Sequence, residues 1–181
     1  MGRYLNPGNA AFAEVLNNQY IDKTGLIALI NQRLNTSEKL VCVSRPRRFG
    51  KSYAARMLSA YYDYTCDSHA LFAGKKIAEA DSFEQYLNRF HVIYLDITGF
   101  LSDAGQEGKK IGEVPGMILR AVTDDLIQAE PQLEVSCGKQ ASASDLLADF
   151  VTLTGRKIFF ILDEWDALIR EAKNDGAVQK A

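Results

Sequence analysis

Residues 39–53 read KLVCVSRPRRFGKSY, and this stretch decides the fold. Its first part, residues 39–43, is an apolar run rich in valine, which predicts a buried strand. A basic loop follows, and the residues from Lys51 to Leu58 have the composition of a helix. A strand that passes through a short loop into a helix is the setting of a phosphate-binding loop, because loop amides and a helix N-terminus then face one anion.

The triplet Gly50-Lys51-Ser52 supplies the groups that such a loop needs at its end. Gly50 lets the backbone approach a phosphate. Lys51 reaches the β- and γ-phosphates of a nucleotide, and the hydroxyl of Ser52 ligates Mg²⁺. We therefore expect binding of ATP with Mg²⁺ by these residues and by the backbone amides of the loop, with Phe49 and Tyr53 at its edges. The alternative is a basic turn between a core strand and a core helix.

Three arginines stand in the loop itself: Arg45, Arg47 and Arg48. Arg45 occupies the position, five residues before Gly50, at which the usual consensus has a glycine. Because guanidinium groups bind phosphate oxygens in bidentate fashion, these side chains are candidates for clamping a triphosphate. They are equally consistent with a solvated basic loop, since backbone amides and one lysine suffice in most loops of this type.

A second strand end carries two acids. Residues 157–162, KIFFIL, predict a buried strand, and Asp163 and Glu164 follow it directly. Apolar residues followed by two acids are typical of a Walker B motif. We expect Asp163 in the Mg²⁺ shell and Glu164 as the general base that activates the attacking water. The alternative is that these acids cap the next helix.

The remaining segments extend the alternation of helices and strands, which predicts an α/β fold with a mainly parallel sheet. Apolar spacing predicts an amphipathic helix after residues 22–24, capped by Asp22 or Thr24. Residues 91–97 predict another buried strand. Residues 99–116 are rich in glycine and charge, which predicts a loop or a mobile insert. Further helices are predicted at residues 10–17, 117–129, 143–152 and 166–173.

Composition excludes several classes of protein. The chain has 181 residues, which suits one domain, and its net charge of −2 gives no general attraction to nucleic acid or membranes. No run is apolar and long enough for a membrane span or a secretory signal, so we expect a cytoplasmic protein without a membrane partner. Neither His69 nor His91 has partners at ligand spacing, which favours structural roles. The cysteines indicate thiols in a reducing compartment: Cys42, Cys66 and Cys137.

Four stretches together resemble the prokaryotic AAA-ATPase-like family: SRPRRFGKS at 44–52, ILDEWD at 161–166, YIDKT at 20–24 and YLDIT at 94–98. Members typically join an N-terminal P-loop ATPase region to a C-terminal nuclease-like domain of the PD-(D/E)XK type. The resemblance implies a P-loop NTPase-like three-layer sandwich, with residues 1–181 as the N-terminal part of one such domain. It also implies ATP and Mg²⁺ as cofactors.

The resemblance carries over residue by residue. Lys51 and Ser52 match the family's Walker A lysine and serine, and the two acids after the second strand match its Walker B pair. Asp22-Lys23-Thr24 matches a family signature, which either lines the base side of the nucleotide or only caps a helix. Asp96, at the end of the strand at 91–97, is either a polar partner of the site or a cap.

The sequence departs from the family pattern at its end, because it stops at Ala181 before a sensor strand, a helical lid and the nuclease-like domain. We therefore expect a truncated product in which residues 40–43 and 158–162 lose a ladder neighbour or close up on each other. Each unpaired buried backbone group costs about 1–3 kcal/mol. The expected function is ATP–Mg²⁺ binding with little hydrolysis. Alternatives are a non-catalytic remnant or interaction module that binds no nucleotide, and a small P-loop phosphotransferase. Nucleic acid would be a partner only through the missing nuclease-like domain, and the oligomeric state stays open.

Overall fold

The computed structural model describes residues 2–44, 49–133 and 142–172. Two strands, β1 (His91–Asp96) and β2 (Ile158–Asp163), pair as a small parallel sheet in this part of the chain. The predicted α/β class with a parallel sheet is therefore confirmed. The α-helices are α1 (Ala10–Leu16), α2 (Gly25–Asn31), α3 (Lys51–Tyr62), α4 (His69–Phe72), α5 (Phe83–Tyr86), α6 (Ile97–Gln106), α7 (Val114–Ala129), α8 (Ala143–Thr154) and α9 (Ala167–Ala172), with 3₁₀ turns at Lys76–Glu79 and Ile111–Glu113.

The chain divides into two compact units, each named here after its longest helix. The α3 unit comprises Asn6–Val92 and Arg156–Phe159. The α7 unit comprises Met1–Leu5, Ile93–Gly155 and Phe160–Ala181. Each unit is thus assembled from segments that are distant in the sequence, and both strands contribute residues to both units.

The α3 unit has an aromatic core. Phe12 of α1 stacks on Phe72 with ring centroids 5.2 Å apart, and Tyr61 meets the same ring edge-on at 5.4 Å. Tyr61 and Tyr62 are fully buried, so their hydroxyl groups need partners. The Tyr62 hydroxyl donates to Asn31 Oδ1 at 2.6 Å, and the Asn31 amide donates to the Tyr61 hydroxyl at 3.2 Å. The end of α3 is therefore anchored firmly in the core.

The helix α6 occupies much of the glycine-rich segment that we expected to be a loop, so that prediction is wrong. Asp96 caps the helix by accepting a hydrogen bond from the Thr98 N–H at 2.9 Å. A glycine inside a helix costs about 1 kcal/mol, but full burial of one large apolar side chain returns about 1.5–3 kcal/mol. Tertiary packing therefore outweighs the local preference of the glycines. The buried face of α6 consists of Ile97, Phe100 and Ala104.

The other predicted helices are confirmed, with small changes at their ends. The helix α7 begins at Val114, before the predicted start, because Pro115 is compatible with a first helical turn. The helix α8 is capped by Ser142 and ends at Gly155, which has φ +64°. The helix α9 begins one residue late, and its predicted end at Lys173 lies outside the described residues.

The predicted strand at residues 39–43 is wrong. These residues form no strand, and Leu40 is 92% exposed. An apolar run becomes a buried strand only where a neighbour completes its hydrogen-bond ladder, and in the described residues β1 and β2 pair with each other. The expected strand at 157–162 does form as β2. Its side chains are not all buried, however, because burial alternates along the strand: Ile161 is buried and Leu162 is about half exposed.

Candidate functional site

Gly50 is the N-cap residue of α3 and adopts the left-handed conformation, with φ +72° and ψ +35°. An L residue is disfavoured there by about 1–2 kcal/mol, so the backbone itself calls for glycine. The Gly50 carbonyl accepts a hydrogen bond from the Ala54 N–H at 3.0 Å. Because the first amides of a helix have no acceptor within it, those that follow Gly50 point out of the helix N-terminus. That is the arrangement that suits an anion.

Side chains at this helix start are accessible. Lys51 is half-buried and Ser52 is exposed. Phe49 and Tyr53 flank them, and both are largely exposed to solvent. An ammonium, a hydroxyl and a helix N-terminus therefore lie within one short stretch of the α3 unit. The three loop arginines predicted as ligands lie outside the described residues: Arg45, Arg47 and Arg48.

Asp22 and Thr24 hold a turn in front of α2. Asp22 Oδ1 accepts from the Thr24 N–H at 2.8 Å and from its hydroxyl at 2.7 Å, and Oδ2 accepts from the Lys76 N–H at 2.9 Å. Thr24 Oγ1 accepts from the Ile77 N–H at 3.1 Å. Burial raises the pKa of Asp22, but hydrogen bonds from Lys76 and Thr24 outweigh it, so the pKa lies below its ordinary value. Both side chains are therefore structural, but the predicted capping of α2 is wrong, because neither side chain accepts a hydrogen bond from an amide of that helix.

Lys23, between them, behaves differently. Its Nζ donates a hydrogen bond to the Phe49 carbonyl oxygen at 2.6 Å. The segment that carries the family signature therefore reaches the residue just before Gly50. Sequence reasoning did not assign this contact.

The acidic end of β2 belongs to the α7 unit. Asp163 is buried, and its Oδ2 accepts a hydrogen bond from the Tyr94 hydroxyl at 3.1 Å. Its Oδ1 accepts from the Glu164 N–H at 3.0 Å. Glu164 has φ +52°, an uncommon conformation for a residue with a side chain. Backbone strain of this kind concentrates at functional sites.

Arg170 of α9 holds the side chain of Glu164. Its Nη2 lies 3.1 Å from Glu164 Oε2, and its Nη1 lies 2.5 Å from Asp166 Oδ2. The carboxylate expected to act as a base is thus engaged in an ion pair. The sequence analysis missed both Arg170 and Tyr94. The only signal for Arg170 was its position four residues after Asp166, at which side chains meet on a helix.

The structure thus places the predicted residues in two sets. Phe49 to Tyr53 lie together in the α3 unit, and Asp163 and Glu164 lie together in the α7 unit. Asp96 caps α6, which is one of the two roles that the sequence analysis gave it. Within the described residues, no group of three or more His, Cys, Asp or Glu side chains is arranged to hold a metal ion.

The family of this chain is established by comparison with family models. One model, described as "Predicted AAA-ATPase", matches residues 8–181, nearly the whole sequence. The chain belongs to the AAA-ATPase-like family. No curated protein and no solved structure is significantly similar to this AAA-ATPase-like chain. Its described helices include none with the length and apolar character needed to cross a membrane.

Proposed function

We propose that this AAA-ATPase-like chain binds ATP with Mg²⁺ through the start of α3. One observation carries the proposal: a left-handed glycine caps a 12-residue helix whose first two residues are Lys51 and Ser52. Helix N-terminal amides attract phosphate, and a lysine and a hydroxyl at these positions suit the phosphates and the metal. The family to which the chain belongs agrees with this use.

Each residue has a proposed role that follows the sequence pattern. Lys51 binds the β- and γ-phosphates, and the Ser52 hydroxyl ligates Mg²⁺. In the α7 unit, the Asp163 carboxylate is of the type that Mg²⁺ prefers, which is the role that the sequence pattern gives it. The metal, when bound, neutralises phosphate charge. The Tyr94 hydroxyl orients Asp163 by its hydrogen bond to Oδ2. Around the phosphates, the proposal adds side chains at the loop and its edges: Arg45, Arg47, Arg48, Phe49 and Tyr53.

Hydrolysis is proposed to be slow. Glu164 would be the general base, but its carboxylate is paired with Arg170 at 3.1 Å. An ion pair favours the deprotonated carboxylate but competes with a water molecule for the same oxygen. The pair therefore leaves Glu164 with one carboxylate oxygen fewer to orient water. The proposed activity is nucleotide binding with little turnover.

The runner-up is an interaction module that binds no nucleotide. The exposed apolar residues at 40–43 favour it, because exposed apolar side chains in a cluster are typical of contact surfaces. The two functions differ in one property, which is whether Mg–ATP stabilises the folded chain.

Thermal unfolding with and without Mg–ATP tests the proposal. Ligand at 100 times its Kd adds about 2.7 kcal/mol of stability, which corresponds to a rise of roughly 5–11 °C in Tm for a chain of this size. We expect that rise in the natural chain and its loss in Lys51→Ala, which removes the phosphate-binding ammonium.

Arg56→Ala is the matched control. Arg56 is an exposed cation on the same helix, one turn further from the N-terminus, so this variant should keep the full rise in Tm. If the natural chain shows no shift at millimolar Mg–ATP, the proposal is wrong and the interaction module is preferred. If Lys51→Ala shifts as much as Arg56→Ala, nucleotide binds without Lys51, and the proposed site at the start of α3 is wrong.

A further inference from the structure

Lys23, the middle residue of the Asp22-Lys23-Thr24 signature, contacts Phe49 in the segment just before α3. Asp22 and Thr24 are both occupied by the turn and by the backbone at Lys76 and Ile77. Thr24 is fully buried. These hydrogen bonds fix the backbone on both sides of Lys23, so the Cα atom from which the Lys23 side chain extends has a defined position.

The contact between Lys23 and the loop is short and specific. Nζ donates to the Phe49 carbonyl at 2.6 Å. A methyl group built on Gly50 would lie 2.6 Å from the same Nζ. The ammonium therefore rests against the residue that caps α3, where a side chain would compete for its position. A hydrogen bond with a charged donor is about twice as strong as a neutral one.

Because the peptide bond is planar, the hydrogen bond to the Phe49 carbonyl also restricts the direction of the Gly50 N–H. In a trans peptide the C=O of Phe49 and the N–H of Gly50 point in opposite directions, and the described residues contain no cis peptide bonds. Because the carbonyl points at Lys23, the Gly50 N–H points away from it. With the left-handed conformation of Gly50, successive amides can then form a concave anion-binding nest.

We infer that Lys23 is a positioning residue of the phosphate loop. By holding the Phe49 carbonyl, it pre-orients the Gly50 N–H toward the phosphates and lowers the ordering cost when a nucleotide binds. It acts on the loop backbone and does not touch the γ-phosphate. This inference rests on the proposed binding of ATP at the start of α3.

Lys23→Met is the main test, because methionine keeps an apolar stem of similar length but removes the donor. We expect the Kd values for Mg–ATP and Mg–ADP, measured by calorimetry, to rise about tenfold each. Both ligands should be affected alike, since the contact is with the loop. The Tm of the ligand-free variant should stay within about 2 °C of the natural chain.

The amide of Gly50 provides a readout that a general loss of stability would not move. Its chemical shift, measured by NMR in the ligand-free protein, should change in Lys23→Met, because the Phe49 carbonyl of the same peptide unit loses its hydrogen bond, while amides in the core of α3 are unchanged. Lys23→Arg keeps a cationic donor and should recover most of the lost affinity. Lys76→Ala is the control. It removes an exposed charge nearby but keeps the backbone N–H that donates a hydrogen bond to Asp22, and it should bind both nucleotides as the natural chain does.

The outcomes separate the inference from the proposed function. If the natural chain binds neither nucleotide, the proposed function fails and the inference falls with it. If the natural chain binds and Lys23→Met binds equally well, only the inference is overturned. Three other results for Lys23→Met would also overturn the inference. Weaker binding of ATP but not of ADP would indicate a contact with the γ-phosphate, and an unchanged Gly50 amide would indicate a simple charge effect. Loss of cooperative folding would indicate a folding role.

Discussion

His91, at the start of β1, is a titratable residue placed where charge is costly. It is almost completely buried, and its Nδ1 lies 3.1 Å from the Asn6 side-chain amide. Burial, helped by the nearby Arg156, lowers the pKa of His91 to about 4, although the Asp63 carboxylate acts in the opposite direction. The neutral imidazole is therefore the form that the fold accommodates.

Stability should fall as the pH drops from about 6.5 toward 4, because the unfolded chain then binds a proton at His91 that the folded chain does not. A single proton gives a slope of at most about 1.4 kcal/mol per pH unit. Urea unfolding of the natural chain and of His91→Gln at pH 7.5 and pH 5 measures it. We expect the natural chain to lose more stability between the two pH values than His91→Gln does.

His69→Gln is the control for that experiment, because His69 is exposed. It should follow the natural chain at both pH values. Equal pH dependence in the natural chain and His91→Gln would show that the imidazole of His91 does not couple to folding.

At the scale of one element, α8 shows how local signals define a helix. Ser142 accepts a hydrogen bond from the Asp145 N–H at 3.2 Å, and the Asp145 carboxylate accepts one from the Ser142 N–H at 3.2 Å. The helix ends at Gly155 in the left-handed conformation. This reciprocal capping satisfies amides that the helix leaves without an acceptor, and it lowers the pKa of Asp145 through the hydrogen bonds from Ser142.

Ser142→Ala should cost about 1 kcal/mol of stability, because it removes the cap of α8. Chemical denaturation measures the loss. Ser144→Ala is the matched control. It removes a hydroxyl that contacts the Ser142 hydroxyl at 2.7 Å but leaves the Ser142 cap in place, so it should lower the stability clearly less. A loss in Ser142→Ala no larger than in Ser144→Ala would mean that the cap contributes nothing measurable.

At the scale of the whole chain, each unit depends on contacts between segments far apart in sequence. In the α7 unit, Asp125 of α7 accepts hydrogen bonds from three backbone amides of the N-terminal segment: Arg3 at 3.2 Å, Tyr4 at 2.6 Å and Leu5 at 2.9 Å. Leu5 is buried and bridges to Ile93 of β1. One carboxylate thus holds the beginning of the chain in the α7 unit.

Asp125→Ala should lower the free energy of unfolding by about 2–4 kcal/mol, because it leaves backbone amides near the core without their charged acceptor. Asp125→Asn, which keeps one acceptor oxygen, should lose less. The neighbouring Asp124 is exposed, so Asp124→Ala should stay within about 0.5 kcal/mol of the natural chain. Urea unfolding distinguishes these variants, and a loss of stability in Asp125→Ala as small as in Asp124→Ala would contradict the proposed role of the Asp125 carboxylate.

Local chemistry determined part of this protein without help from the fold. The helices α1, α3 and α8 begin at the residues predicted for them from a few neighbouring positions, and α7 forms with a start three residues earlier than predicted. Likewise, the position of two acids directly after β2 was predicted from the sequence, and their roles toward Mg²⁺ and water stay predictions. Such features depend on interactions within a few residues, which is the range that a sequence pattern reports.

Tertiary structure alone decided the rest. Residues 40–43 have the composition of a strand, yet they form none, because a strand also needs a neighbour. Residues 99–106 have the glycine content of a loop, yet they are helical, since burial of one face outweighs propensity. The contact from Lys23 to the Phe49 carbonyl spans 26 residues, and the pairing of Arg170 with Glu164 depends on how the chain turns after β2. Long-range contacts arise from packing, and no local pattern specifies them.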